Sequence, residues 1–158
     1  MHEAGKWTKA PLIPGESARL ADIQRYGLLQ KNDVSRYDRL TRLVARYYDA
    51  PVCLITVVDA DRQVFLSRFG LDFSETPRDQ SFCAHNILKP EVLHVPDATG
   101  DPRFATNPLV TGELQIRHYA GVPLKTGDGY NVGTLCVIGT TPGELSPIQR
   151  QRLSVLAT

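Results

Sequence analysis

The chain is poor in the features that mark secreted or membrane-spanning proteins. Its 158 residues hold three cysteines, Cys53, Cys83 and Cys136. These are too few and too scattered for a disulfide framework, so a reducing, cytoplasmic setting is expected. No apolar run approaches the ~20 residues of a transmembrane helix. The first residues, MHEAGKWTKAPLIPGE, lack the apolar core of a signal peptide. Neither sign of charge is in excess. Lys and Arg number 18 and Asp and Glu 17, which leaves +1 and no electrostatic footprint for nucleic acid or an anionic membrane. There is no internal repeat, low-complexity stretch, metal signature, phosphate loop or nucleophile–base pair. On those grounds no catalysis of its own is expected of the chain.

What is present reads as one globular domain over 16–158, preceded by a flexible lead over 1–15. A hydrophobic fraction of 42% is enough for a core. The organising stretch is Ile116–Gly139, two strand-like runs around Thr126-Gly127-Asp128-Gly129, a strong hairpin signal. In the second run Val132, Thr134, Cys136 and Ile138 alternate with Leu135 and Val137. Both sets are mostly apolar, which predicts a strand covered on both faces. Gly121 and Gly133 lie inside the runs and point to close approach of a neighbouring element, the favoured reading, or of a ligand.

Elsewhere the pattern predicts a helix over 16–28, then a second from an Asp33 cap to about Asp49. A β-branched strand, 52–58, is returned by another over 63–69. Residues 70–78 read as a loop. Ser81–Leu88 reads as a short helix and Val92–Val95 as a short strand. An irregular segment follows over 96–112, with Asp101-Pro102 as cap and first position of a helical turn. Ser146, Pro147 and Gln149 form a capping box for a last helix, which reaches Thr158 without a stop signal and reads as cut short. Hairpin-joined strands with flanking helices make an α+β layer design.

Five blocks, in order and in spacing, carry a family resemblance: Asp79–His85 (DQSFCAH), Leu93–Ala98 (LHVPDA), Asp101–Gly112, Ile116–Leu124 (IRHYAGVPL) and Gly133–Ile138 (GTLCVI). From about Asp33 onward the chain resembles the GAF domains of bacterial sensory proteins, of the type found upstream of histidine kinase, diguanylate cyclase or phosphodiesterase modules. The resemblance implies a profilin-like central antiparallel sheet of five to six strands. Terminal helices lie on one face and ligand-side loops and short helices on the other. It also implies a homodimer through the terminal helices, a small-molecule ligand, and an output domain after Thr158. Three positions depart from the subgroup: His118 stands for Phe, Gly139 for Asp, and Gln30-Lys31-Asn32 for Asp-Thr-Pro. Nothing matches a bilin-attachment region, and neither covalent bilin nor haem is expected.

The function so implied is a sensory module that binds a small molecule or relays strain to an output domain. Two alternatives stand beside it: a free methionine sulfoxide reductase-type enzyme, and a ligand-free structural dimerisation module. The candidate ligand-binding residues are Phe82, Cys83, Asp97, Arg103, Phe104, Arg117, His118, Tyr119 and Cys136. They are expected to enclose a cavity of a few hundred Å³. Arg103 and Arg117 suggest a polar or anionic occupant, with an ion pair to Asp97 as the plainer use of either arginine. Cys83, at the second position of its helix, is a candidate thiolate or a small buried hydrophobe. His85 reads as a structural histidine bonded to backbone. Cys53 and Cys136 read as packing residues. His94 and His118, on strands, together with His85, raise haem or metal binding without a sequence-local pair of ligands.

Overall fold

The computed structural model describes residues 8–30 and 35–156. Six strands form one sheet: β1 (Val52–Val58), β2 (Arg62–Phe69), β3 (Glu75–Pro77), β4 (Leu93–Val95), β5 (His118–Lys125) and β6 (Asn131–Gly139). Their spatial order is β3-β2-β1-β6-β5-β4, every pair antiparallel. The helices are α1 (Glu16–Arg25), α2 (Ser35–Tyr47), α3 (Phe82–Asn86), α4 (Pro108–Thr111) and α5 (Pro147–Leu156). The expected Asp33 cap of α2 lies outside the described residues. β3 falls within the stretch expected to be loop, where Thr76 pairs with Gln63 of β2.

The central strands β1 and β6 are buried on both faces because helices and loops cover each side. On one face Leu54, Cys136 and Ile138 pack against α3 and the 98–116 segment. On the other, Cys53, Ile55, Leu135 and Val137 pack against α2 and α5. Cys53 and Cys136 are thus on neighbouring strands but opposite faces; Leu54, not Cys53, pairs with Cys136. Val132 departs from the expected alternation and packs with Ile23 and Val57. The β5–β6 register shifts there, Lys125 pairing Asn131 and Leu124 pairing Gly133. Val132 is the extra residue of a bulge, which breaks the period of two.

The two glycines do what their positions suggest. A β-carbon at Gly133 would lie 1.7 Å from the Thr56 carbonyl oxygen of the adjacent strand. One at Gly121 would lie 2.4 Å from both Asn86 Nδ2 and the Tyr119 hydroxyl. The hairpin turn closes with Gly129 at φ 94° and Gly129 N–H donating to Thr126 O at 2.9 Å.

Candidate functional site

The ligand side is built on α3. Ser81 caps it, its Oγ accepting from Ala84 N–H at 3.0 Å. This turns Phe82 and Cys83 toward the sheet. Phe82 stacks on Phe104 with centroids 4.0 Å apart and tilts against Tyr119 at 5.3 Å. Thr134 donates its hydroxyl to Cys83 Sγ at 3.0 Å. The Tyr119 hydroxyl lies 3.2 Å from the same sulfur and accepts from Asn86 Nδ2 at 3.1 Å, which leaves its proton for Cys83. Thr56 stands 3.1 Å behind Thr134. Phe82, Cys83, Phe104, Tyr119 and Cys136 are all buried and in one cluster. The expected cavity between them is taken up by their own rings and sulfurs, because the aromatic pair stacks face to face.

Burial pushes the Cys83 thiol up, but bonds from Cys136, Thr134, Tyr119 and Thr56 outweigh it and bring the thiol down to about 7. Cys136 rises well above the usual thiol range because it donates to Cys83 and is buried. Burial alone lifts Cys53, on the other face, to about 12. The groups that set Cys83 apart are side chains from the sheet, rather than the end of its short helix. Thr56, Thr134 and Asn86 escape a sequence reading because nothing local marks a strand hydroxyl as a sulfur's partner.

The arginine pair is already engaged. Arg103 forks onto Asp101 at 2.8 and 3.1 Å and lies over the Phe104 ring at 4.9 Å. Arg117 Nη1 donates to the carbonyls of Val110 and Ile116 at 2.9 and 3.0 Å. Asp97 pairs with neither arginine here: it accepts from Thr99 N–H and Oγ1–H at 3.0 and 2.7 Å. Asp101 caps a run of turns, and the helix of this segment comes later, at α4. There Asn107 Oδ1 accepts from Leu109 N–H at 2.9 Å, ahead of Pro108. Asn107-Pro108 is a cap-and-first-position pair of the same kind as Ser146-Pro147, and that signal was available in the sequence. Thr8 lies on this surface: its N–H donates to Arg103 O at 2.9 Å, and His85 Nε2 lies 2.9 Å from Thr8 O.

His118 belongs to the other face. Its Nε2 lies 3.1 Å from Nε2 of His94 on the adjacent strand. Leu145 N–H donates to that His94 nitrogen at 3.3 Å, just ahead of α5. Burial, then the neighbouring His118 and Arg150, lowers His94 to about 4, and burial lowers His118. Farther along this face a mostly apolar groove of about 400 Å³ runs between α2 and α5, lined by Leu40, Leu43, Val44, Tyr47, Val155 and Leu156 with Arg152 among them. Leu43 and Val155 are 63% and 65% exposed on it. Tyr48 ties the two helices, donating to Gln149 O at 2.7 Å.

The GAF domain family matches residues 34–158. The chain belongs to it. A cyclic di-GMP phosphodiesterase of Pseudomonas aeruginosa is 43% identical over 132 residues, which are 84% of this chain and 22% of that protein. The GAF domain of an Acinetobacter phosphoenolpyruvate-protein phosphotransferase superposes with TM-score 0.65 at 19% identity, covering 90% of this chain and 88% of that one. The free methionine-R-sulfoxide reductase of Neisseria meningitidis superposes with TM-score 0.64 at 20% identity, covering 87% and 81%. The expectation that the chain has no catalysis of its own is overturned. Its 43%-identical relative carries an enzyme's name, and the same fold houses catalysis in the reductase. Among the described residues no helix is long and apolar enough to cross a membrane.

Proposed function

We propose that this GAF domain is the sensory and dimerising part of a cytoplasmic cyclic di-GMP signalling protein. It spans 22% of its phosphodiesterase relative, so in this reading an output domain occupies other parts of a longer chain. Two copies meet through the apolar groove between α2 and α5, and a change on the ligand side shifts α5 relative to α2. The observation that carries the reading is the groove itself. Leu43, Tyr47, Val155 and Leu156 are exposed along one face, a contiguous apolar surface that a second copy would cover. A small molecule would act by parting Phe82 from Phe104.

Analytical ultracentrifugation of this chain, and of one extended past Thr158, tests the assembly. Dimers at tens of micromolar support it; monomers in both overturn it. Thermal shift against a metabolite panel tests the sensing, with Tyr119→Ala as control. A ligand at 100 times its Kd adds about 2.7 kcal/mol.

One observation favours a second reading. Cys83 takes hydroxyl bonds from Thr134 and Tyr119 and stands beside Cys136. In that reading the sulfur reduces free methionine sulfoxide once Phe82 parts from Phe104, because the cluster as it stands is closed to a substrate. A dithiol-driven reductase assay separates the two readings: turnover lost in Cys83→Ser supports it, and no turnover removes it.

A further inference from the structure

Beyond the signalling reading, we propose that His94 and His118, completed by Glu144, bind a divalent transition-metal ion of the zinc, cobalt or nickel class at the root of α5. β4 and β5 pair with His94 opposite Ala120, so His118, two residues before Ala120, projects from the same face of the sheet. The two Nε2 atoms are 3.1 Å apart and the ring centroids 5.1 Å. A tetrahedral ion ~2.0–2.1 Å from each imidazole nitrogen places those nitrogens ~3.3 Å apart. The pair is therefore within a few tenths of an ångström of a chelating spacing.

The third donor follows from the backbone. Leu145 N–H meets His94 Nε2, and that amide is joined directly to Glu144, so the Glu144 α-carbon lies one peptide unit from the imidazole. Its side chain is exposed. Among the described residues no three ligating side chains converge as the molecule stands. The carboxylate arrives by rotation about its side-chain bonds, and water fills the remaining position. Two imidazoles and one carboxylate suit zinc, cobalt or nickel, whereas calcium and magnesium prefer oxygen donors.

Binding has a structural consequence. The ion takes the His94 lone pair that now accepts Leu145 N–H, and His118 moves its proton from Nε2 to Nδ1. The connection into α5 thereby loses one of its ties to the sheet edge. Gly143 N–H to Pro96 O, at 3.0 Å, remains.

Titration of the whole chain with Co²⁺, followed by visible absorption and by displacement with Zn²⁺, tests the site. One ion per chain is expected, without the thiolate charge-transfer band that a cysteine ligand would add. His94→Gln, at a half-buried position, abolishes binding. Glu144→Gln, at an exposed one, weakens it at least about tenfold, the scale of losing even an outer partner of a metal ligand. His85→Gln, on the opposite face, leaves it unchanged. Absence of binding at micromolar Co²⁺, or binding that survives His94→Gln, overturns the site. Full affinity in Glu144→Gln overturns the three-donor set.

Discussion

Arg78 reaches Glu16 at 2.6 Å across 62 residues of chain. The same carboxylate accepts from both Arg19 Nε and Nη2 at 2.9 Å, and Arg19 is fully buried. Each arginine also donates to the end of β1 or the turn after it, Arg19 to Val58 O at 2.7 Å and Arg78 to Asp59 O at 2.9 Å. One carboxylate thus serves two guanidinium groups and pins α1 to the sheet.

Removing that carboxylate leaves two arginines without their anion. Glu16→Gln is expected to cost about 3 kcal/mol, at the lower end for a broken buried pair because Glu16 is partly exposed. Urea denaturation measures it. A loss below half of this would mean that water already screens the triad.

The same contacts set a pH dependence. Burial alone would raise the Glu16 carboxyl, but the bonds from Arg19 and Arg78 hold it down from 4.5 to about 2. A carboxyl held below its unfolded value stabilises the fold fully above about 4.5, and that contribution fades as pH falls through about 2. Between these values the wild type should lose more stability than Glu16→Gln. Parallel acid-denaturation curves would remove the linkage.

Gly133→Ala sets a β-carbon 1.7 Å from the Thr56 carbonyl, and the obstacle is backbone of a central strand. The substitution should destabilise by at least about 3 kcal/mol, the upper part of the range for point changes. A thermal midpoint within a degree or two of wild type would contradict the close approach.

Cys83 should ionise before Cys53 and Cys136, with Thr134→Val raising its midpoint by about one unit or more through the lost hydroxyl bond. Thiolate absorbance during a pH titration reads this. Because all three thiols are buried, iodoacetamide should label none of them quickly in the native protein.

Ser146 Oγ accepts from Gln149 N–H at 3.2 Å, and Gln149 Oε1 accepts from Ser146 N–H at 2.9 Å. Ser146→Ala should cost about 1 kcal/mol. Circular dichroism melts would show whether the loss stays within α5 or spreads to the whole fold.

Local chemistry was legible in the amino-acid order alone. The reciprocal cap at Ser146 and Gln149, the Ser81 cap, the turn at 126–129 and the strands β1, β2, β5 and β6 each depend on residues within a few positions of one another. The family followed from five spaced blocks. The tertiary structure decided the rest. It stacked Phe82 on Phe104 where a cavity was expected, placed Val132 in a bulge, and engaged Arg103 and Arg117 locally. It also joined His94 to His118, Thr134 to Cys83 and Arg78 to Glu16, pairs separated by 24, 51 and 62 residues. Such pairs exist only once α1 and α3 pack on the sheet and β4 takes its edge. Strand neighbourhood follows from burying both faces of one sheet at once, and no local backbone preference encodes it.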